Sequence, residues 1–177
     1  MRLEYGDICI RSATAEDAPL LASCWNDGAV MAHAGFPNGL GITAEKIAED
    51  LSADSDDTRR RLILLLKERP ISEMCYYNKG TEAEIGIKIC EPSYQEKGIG
   101  RLALSMPIQY LLGIGYKKII LDTDLRNTRA QHVYELLGFQ KSRVNLDCWQ
   151  DQLGQLQSAV DYELTAETFR NFAVSVS

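Results

Sequence analysis

Several short segments of this 177-residue chain alternate between hydrophobic and polar positions, and three of them follow one another closely. In residues 82–90 the alternation places Ile85, Ile87 and Ile89 on one face. A period of two is typical of a β-strand with one buried face. Residues 62–68 are almost continuously apolar, as in a central strand, and a third strand is predicted beyond a turn at Pro70.

Other segments have the three-to-four-residue spacing of a helix. Residues 99–112 place Leu104, Ile108 and Leu111 on one side, and a second helix is predicted from residue 128 to a terminating Gly138. Two shorter helices are predicted after Thr14 and Thr43. The predicted order β-α-α-β-β-β-α-β-α-β-β is that of a mixed α/β (α+β) fold, with a single domain spanning residues 1–177.

The composition argues against several classes of protein: membrane-spanning, secreted, nucleic-acid-binding and metal-binding. The chain has no apolar run long enough to cross a membrane and does not begin with a secretory signal. Its net charge of −6 argues against a nucleic-acid partner. Five cysteines without a CxxC pair predict free thiols in a reducing cytoplasm, and two histidines leave little for a metal site.

Gly98 and Gly100 lie where a predicted strand gives way to a predicted helix. The first amides of a helix have no partner within it, so they suit an anion such as phosphate, and glycine lets the backbone come close to it. Lys97 and Arg101 would add charge. The alternative is a tight turn that binds nothing. The spacing fits neither a Walker A loop nor the glycine pattern of dinucleotide-binding folds.

A second group of residues lies on one face of the helix that starts near residue 128. Asn127, Ala130, Tyr134 and Leu137 fall on this face, where an amide and a phenol would flank a ligand. The alternative for Tyr134 is a half-buried core aromatic with a bonded hydroxyl.

These two motifs and their separation resemble the GNAT superfamily of acetyl-CoA-dependent N-acetyltransferases. Its phosphate-binding signature, Q/R-x-x-G-x-G/A, is matched by Gln95, Gly98 and Gly100. The segment around Tyr134 and the region from Asp147 to Phe169 are similar to ribosomal-protein N-terminal acetyltransferases of the RimJ/RimL type. The resemblance covers nearly the whole chain.

The resemblance implies a mixed central sheet, splayed between two parallel strands and flanked by helices, with acetyl-CoA as co-substrate and no metal. Pantetheine would bind the backbone around Ile89 and Cys90, and Asn127 would contact the cofactor arm. The pyrophosphate would bind the amides of one continuous stretch, which comprises Gln95, Glu96, Lys97, Gly98, Ile99, Gly100 and Arg101.

The resemblance also assigns the chemistry. Tyr134 matches the position that protonates the departing thiolate. Asp122 matches a strand position where some relatives carry a glutamate base, and Glu84 is the other candidate base. The alternative interpretation of Glu84 is that it is a solvated residue on the polar face of an alternating strand.

The function predicted from the resemblance is acetyl transfer from acetyl-CoA to a primary amine, on a protein N terminus or a small molecule. The alternative is an inactive GNAT fold that binds CoA or an acyl-CoA without turnover. The sequence identifies neither the amine nor the oligomeric state. The apolar residues of the C-terminal hairpin either pack inward or form the face of a homodimer; these are Leu146, Trp149, Leu153 and Leu156.

Overall fold

A computed structural model describes residues 1–90 and 98–174. The eight strands described are β1 (Arg2–Tyr5), β2 (Ile8–Ser12), β3 (Arg59–Leu66), β4 (Arg69–Asn78), β5 (Glu82–Ile89), β6 (Lys118–Asp124), β7 (Gln140–Gln150) and β8 (Leu156–Leu164). The five α-helices described are α1 (Ala18–Trp25), α2 (Gly28–Met31), α3 (Ala44–Ser52), α4 (Ile99–Gly113) and α5 (Thr128–Leu137).

All eight strands form one sheet in the order β1-β2-β3-β4-β5-β6-β8-β7. Only the central pair, β5 and β6, is parallel among these strands. The predicted mixed sheet flanked by helices is therefore confirmed. Two local details differ: β1 adds a strand at the N terminus, and the β3–β4 turn lies at Lys67 and Glu68, which have positive φ, while Pro70 is within β4.

The helices cover both faces of the sheet. In β3, Leu62 and Leu64 join the core that contains α4 and α5, whereas Ile63 joins a second core with α1 and α3. Successive side chains of a strand point to opposite faces, so the two helix pairs lie on opposite sides of the sheet. We call these the α4/α5 face and the α1/α3 face.

The parallel strands β5 and β6 stay paired only near their first residues. Their register ends at Glu84 opposite Ile120, although β5 continues to Ile89 and β6 to Asp124. Beyond this point β5 pairs only with β4, and β6 only with β8, among the described residues. The expected splay between two parallel strands is confirmed, and it leaves an opening between their carboxyl ends.

A disulfide joins Cys24 in α1 to Cys90, the residue after β5. The prediction that all five cysteines are free thiols is therefore wrong for this pair. Scattered cysteines carry no local disulfide signal, and only folding brings together these two, which are 66 residues apart. Cys9, Cys75 and Cys148 are free.

Two further predictions concern the surface. Inward packing of the hairpin leucines is wrong: Leu146 is 71% exposed, and Leu153 and Leu156 are also exposed. A homodimer face at this hairpin stays a prediction. Within residues 1–90 and 98–174, no helix is long and apolar enough to cross a membrane.

Candidate active site

The backbone of β5 presents one edge to the opening. The Cys90 amide donates a hydrogen bond to the Ile71 carbonyl oxygen in β4, at 3.1 Å. Because peptide groups point alternately to the two sides of a strand, those of Ile87 and Ile89 face β6. The Cys90 N–H, expected to lie near the pantetheine, is thus turned away from the opening, and the Ile87 N–H is better placed.

The N terminus of α4 lies across the opening from β6. Gly98 precedes it with φ 73° and ψ 0°, a left-handed conformation that favours glycine. Ile99 is buried, whereas a methyl group added to Gly100 would meet no heavy atom within 4 Å among the described residues. The first amides of α4 therefore have room for a ligand. Gln95, Glu96 and Lys97 lie outside the described residues.

Arg101 is in the first turn of α4 and is exposed. Its guanidinium carbon lies 5.1 Å from the centre of the Phe172 ring, a cation–π distance. The contact holds the positive charge beside the helix N terminus. That position is compatible with the predicted role in phosphate binding.

Asp122 projects from β6 on the α1/α3 face, since its neighbour Leu121 belongs to the opposite core. The Asp122 residue is exposed, but the surrounding protein partly desolvates its carboxyl, which raises the pKa of that carboxyl, and the charges of Glu84 and Asp161 raise it further. Asp161 lies directly opposite Asp122 in the β6–β8 register. No local pattern in the sequence marks Asp161, because only the pairing of β6 with β8 brings it beside Asp122.

Glu84 lies on the same face of the sheet as Asp122. Its carboxylate oxygen is 3.2 Å from the Lys79 ammonium, in a partly exposed ion pair. This pairing agrees with the interpretation of Glu84 as part of a solvated polar face. Glu84 nevertheless affects the site, because its charge contributes to the raised pKa of Asp122.

Tyr134 lies on α5, on the other side of the sheet from Asp122. Its ring is packed edge-on against Phe139 and Tyr162, and the residue is 8% exposed. Burial raises the pKa of the Tyr134 phenol to about 12, with a further contribution from the charge of Asp122. Among the described residues, the Tyr134 hydroxyl makes no hydrogen bond. The buried side-chain atom that lacks a partner in this part of the chain is Nε1 of Trp25, not the Tyr134 hydroxyl.

The two helices that follow the splayed strands begin differently. Asn127 precedes α5, and its side-chain oxygen accepts a hydrogen bond from the Ala130 amide at 3.2 Å. This hydrogen bond caps the N terminus of α5, and Asn127 is one of the two caps predicted for this helix. Gly98, in contrast, has no side chain with which to cap α4. The predicted end of α5 at Gly138 is also observed, with φ 96°.

The arrangement places carboxylates and a phenol on opposite sides of one opening. Asp122 and Glu84 approach from the α1/α3 face, Tyr134 comes from the α4/α5 face, and the edge of β5 lies between them. A proton can leave a reactant on one side and reach a leaving group on the other. In the described part of the chain, no group of three or more His, Cys, Asp or Glu side chains could hold a metal ion.

The family model described as the acetyltransferase (GNAT) domain matches residues 7–140, well over half of the chain. The chain belongs to the GNAT acetyltransferase family. No curated protein sequence matches it.

Solved GNAT structures share this fold. The RimL ribosomal L7/L12 α-N-protein acetyltransferase, in complex with coenzyme A, is 12% identical, with a TM-score of 0.84 over 95% of this chain and 99% of that one. The spermidine N-acetyltransferase from Vibrio cholerae, with CoA and spermine, is 19% identical, with a TM-score of 0.79 over 92% and 97%. The ribosomal-protein-S5-alanine acetyltransferase from Vibrio fischeri is 17% identical, with a TM-score of 0.74 over 96% and 99%.

At these identities the likeness shows the GNAT fold and not the acceptor. The neighbours include the ribosomal-protein acetyltransferases expected from the sequence, together with a polyamine acetyltransferase. Their folds match this one to a similar degree, although the acceptors in their names differ. The acceptor must therefore be sought in the residues around the opening.

Proposed function

We propose that this GNAT protein transfers an acetyl group from acetyl-CoA to a primary amine by direct attack on the thioester. The observation that carries the proposal is the opening between β5 and β6, with Asp122 on one side and Tyr134 on the other. A protein that only bound CoA would have no chemical need for a carboxylate and a phenol on the two sides of its site.

The described residues fit acetyl-CoA in two respects. The uncapped N terminus of α4 offers amides to a pyrophosphate, and the space around Gly100 permits close approach. The Ile87 peptide group, directed at the opening, can pair with the amides of an extended pantetheine arm. The amides of residues 95–97 and the side chain of Asn127 are proposed to complete this site.

Asp122 is the proposed base. A primary amine is mostly protonated at neutral pH and must lose a proton before it can attack. The raised pKa of Asp122 makes its carboxylate a better proton acceptor than an ordinary aspartate. Glu84 is the second candidate, and its carboxylate is engaged in an ion pair with Lys79.

Tyr134 is the proposed acid. Attack on the thioester places negative charge on the carbonyl oxygen, which the Ile87 N–H is positioned to stabilise. Collapse of the adduct then breaks the carbon–sulfur bond and releases a thiolate. The Tyr134 phenol, with a pKa of about 12, keeps its proton at neutral pH and can donate it to this sulfur. Burial favours the transfer, since it also disfavours the charged thiolate.

The proposed acceptors are small-molecule amines or peptide N termini. Glu84, Asp122 and Asp161 make the α1/α3 side of the opening acidic, which favours a cationic amine. Because acetyl-CoA is a cytoplasmic metabolite, the cytoplasm stays the proposed location, although disulfides such as Cys24–Cys90 are rare there.

The test is release of the CoA thiol from acetyl-CoA, followed with a chromogenic disulfide reagent. The amines would be spermidine, free lysine and a peptide that begins with alanine, and mass spectrometry would verify the acetylated product. The reagent also attacks protein thiols, so product formation is the deciding signal. Amine-dependent release supports the proposal. Acetyl-CoA binding without any acetylated amine would contradict it and favour the binding-module alternative.

A further inference from the structure

The segment of residues 26–39, which we call the bridging segment, spans the opening on the α1/α3 face. It follows α1, which the Cys24–Cys90 disulfide fastens to the end of β5. Further along, the 3-10 turn Ala32–Ala34 lies against β6. Within that turn, His33 is close enough to Asp124 for its charge to help lower the pKa of that carboxyl, after the larger effect of Arg126. The segment thus runs from one splayed strand to the other.

The first half of the bridging segment is fixed to its second half by close backbone contacts. A methyl group added to Gly28 would overlap the Pro37 carbonyl, and one added to Gly39 would overlap the backbone of Asn26. The Leu40 amide also donates to the Trp25 carbonyl oxygen at 2.8 Å. The two halves of the segment are therefore packed directly against each other.

One residue of the β7–β8 turn, Gln152, binds the second half of the bridging segment. The Gln152 amide donates to the Gly35 carbonyl oxygen at 2.8 Å. The Gln152 side chain donates to the Gly39 carbonyl oxygen and accepts from the Asn38 amide, both at 2.9 Å. Gln152 therefore binds three backbone groups within five consecutive residues of the segment.

The surrounding hairpin gives this attachment a rigid base. Asp151 accepts hydrogen bonds from the Leu153 and Gln155 amides, both at 2.9 Å, which fixes the turn. The Trp149 ring lies directly against Gly35, where no side chain would fit. The fold thus ties the bridging segment to a hairpin far away in the sequence, with Gln152 as the polar link.

We propose that Gln152 is a positioning residue that fixes the bridging segment over the β5–β6 opening and thereby sets the affinity for the acceptor amine. Gln152 touches neither the reacting atoms nor acetyl-CoA. It acts through residues 35–39, which lie on the same side of the sheet as Asp122. An amine that approaches Asp122 from this side must fit beneath or beside the segment. The inference rests on the proposed acetyl transfer.

The test compares Gln152→Ala with the matched control Gln155→Ala, which removes a glutamine side chain from the same turn. The Gln155 side chain makes no hydrogen bond with the described residues. Wild type and both variants would be assayed with one amine. This would be spermidine or the alanine-initiated peptide, whichever the wild type acetylates faster. Three quantities are measured: the KM for the amine, kcat, and the Kd for acetyl-CoA.

For Gln152→Ala we expect the amine KM to rise about fivefold, the effect of losing one or two surface hydrogen bonds. We expect kcat and the acetyl-CoA Kd to remain close to wild type. Gln155→Ala should match wild type throughout.

An active wild type with equal amine KM in Gln152→Ala would overturn the inference and leave the proposed function intact. A parallel loss of acetyl-CoA affinity would also overturn it, because the effect would then not be confined to the amine side. A wild type that acetylates no amine would overturn the proposed function, and the inference with it.

Discussion

The two strands that form the opening end in opposite ways. After β5, the chain is fastened by Cys90 to α1 and enters α4 through a left-handed glycine that provides no side-chain cap. After β6, Asp124 accepts hydrogen bonds from the backbone and side chain of Arg126, and Asn127 caps α5. Among the described residues, the end of β6 satisfies its own polar groups, whereas no side chain caps the helix that follows β5.

This difference fits the division of roles proposed for the two helices. No side chain among the described residues caps α4, so its first amides are the proposed site for an anion. The N terminus of α5 is capped by Asn127, and α5 carries Tyr134, the proposed acid, on the side of the sheet opposite Asp122.

The largest expected effect concerns the covalent attachment of the β5 end. Removing the Cys24–Cys90 disulfide frees a 66-residue loop in the unfolded chain, which should lower the free energy of unfolding by about 4 kcal/mol. Calorimetry of the Cys24→Ser/Cys90→Ser variant would show a lower melting temperature. Cys148→Ser, at an exposed free thiol, is the control and should leave stability unchanged. Equal melting temperatures for all three proteins would contradict the stabilising role.

The next effect compares the two helix ends directly. Gly100→Asp places a carboxylate at the N terminus of α4, where there is space for it and where the helix dipole tolerates it. Folding should be unaffected, but the charge would repel a bound pyrophosphate and weaken acetyl-CoA binding by about 100-fold. Titration calorimetry measures this affinity.

The matched variant adds the same charge to the other helix. Thr128→Asp lies in the exposed first turn of α5 and should leave the acetyl-CoA affinity within about threefold of wild type. Equal losses in both variants would mean that α4 is not the specific anion site, and the contrast between the helix ends would fail.

A third prediction separates the two candidate bases. If Asp122 is the base, Asp122→Asn should lower kcat/KM by about 100-fold, while Glu84→Gln should keep activity. Glu84→Gln removes a charge that raises the pKa of Asp122, so the acidic limb of the pH–rate profile should move to lower pH. Loss of activity in Glu84→Gln, with Asp122→Asn still active, would reverse the assignment.

Stability provides an independent control for this pair. Folding raises the pKa of Asp122, so its ionisation costs the folded state stability as the pH rises through the raised value. At neutral pH, Asp122→Asn should therefore melt slightly above wild type even though it is less active. A lower melting temperature would mean that the carboxylate has a stabilising partner.

The smallest expected effect concerns the N terminus of α5, which Asn127 caps. Asn127→Ala removes the cap of α5 and should lower the free energy of unfolding by about 1 kcal/mol. Asn127→Asp keeps the capping oxygen and should be nearly as stable as wild type. If Asn127→Asp nevertheless binds acetyl-CoA more weakly, the Asn127 amide also contacts the cofactor arm. Equal acetyl-CoA affinity in Asn127→Asp would remove Asn127 from the binding site.

Local sequence signals predicted most of the fold. The alternation at Ile85, Ile87 and Ile89 gave β5, and Gly138 marked the end of α5, because both depend on neighbouring residues alone. Pro70 was misleading as a turn signal, since Lys67 and Glu68 adopt the positive φ values instead. Asp161 and the Cys24–Cys90 pair depend on strand order and on contacts between distant segments. No local pattern encodes these.

The roles of the site residues stay predictions. Tyr134, Asp122 and the α4 turn were proposed through a family resemblance, and the structure places Asp122 and Tyr134 on opposite sides of the sheet. The role of Gln152 was not visible in the sequence, because the hairpin turn and the bridging segment meet only in the folded protein.

The measurement that tests acetyl transfer at this opening most directly is a comparison of wild type with Tyr134→Phe. It would record kcat for amine acetylation together with the Kd for acetyl-CoA. We predict that kcat falls by about 100-fold, because the proton donor is lost, and that the Kd hardly changes. An unchanged kcat would remove Tyr134 from the mechanism and contradict the proposed division of roles between α4 and α5.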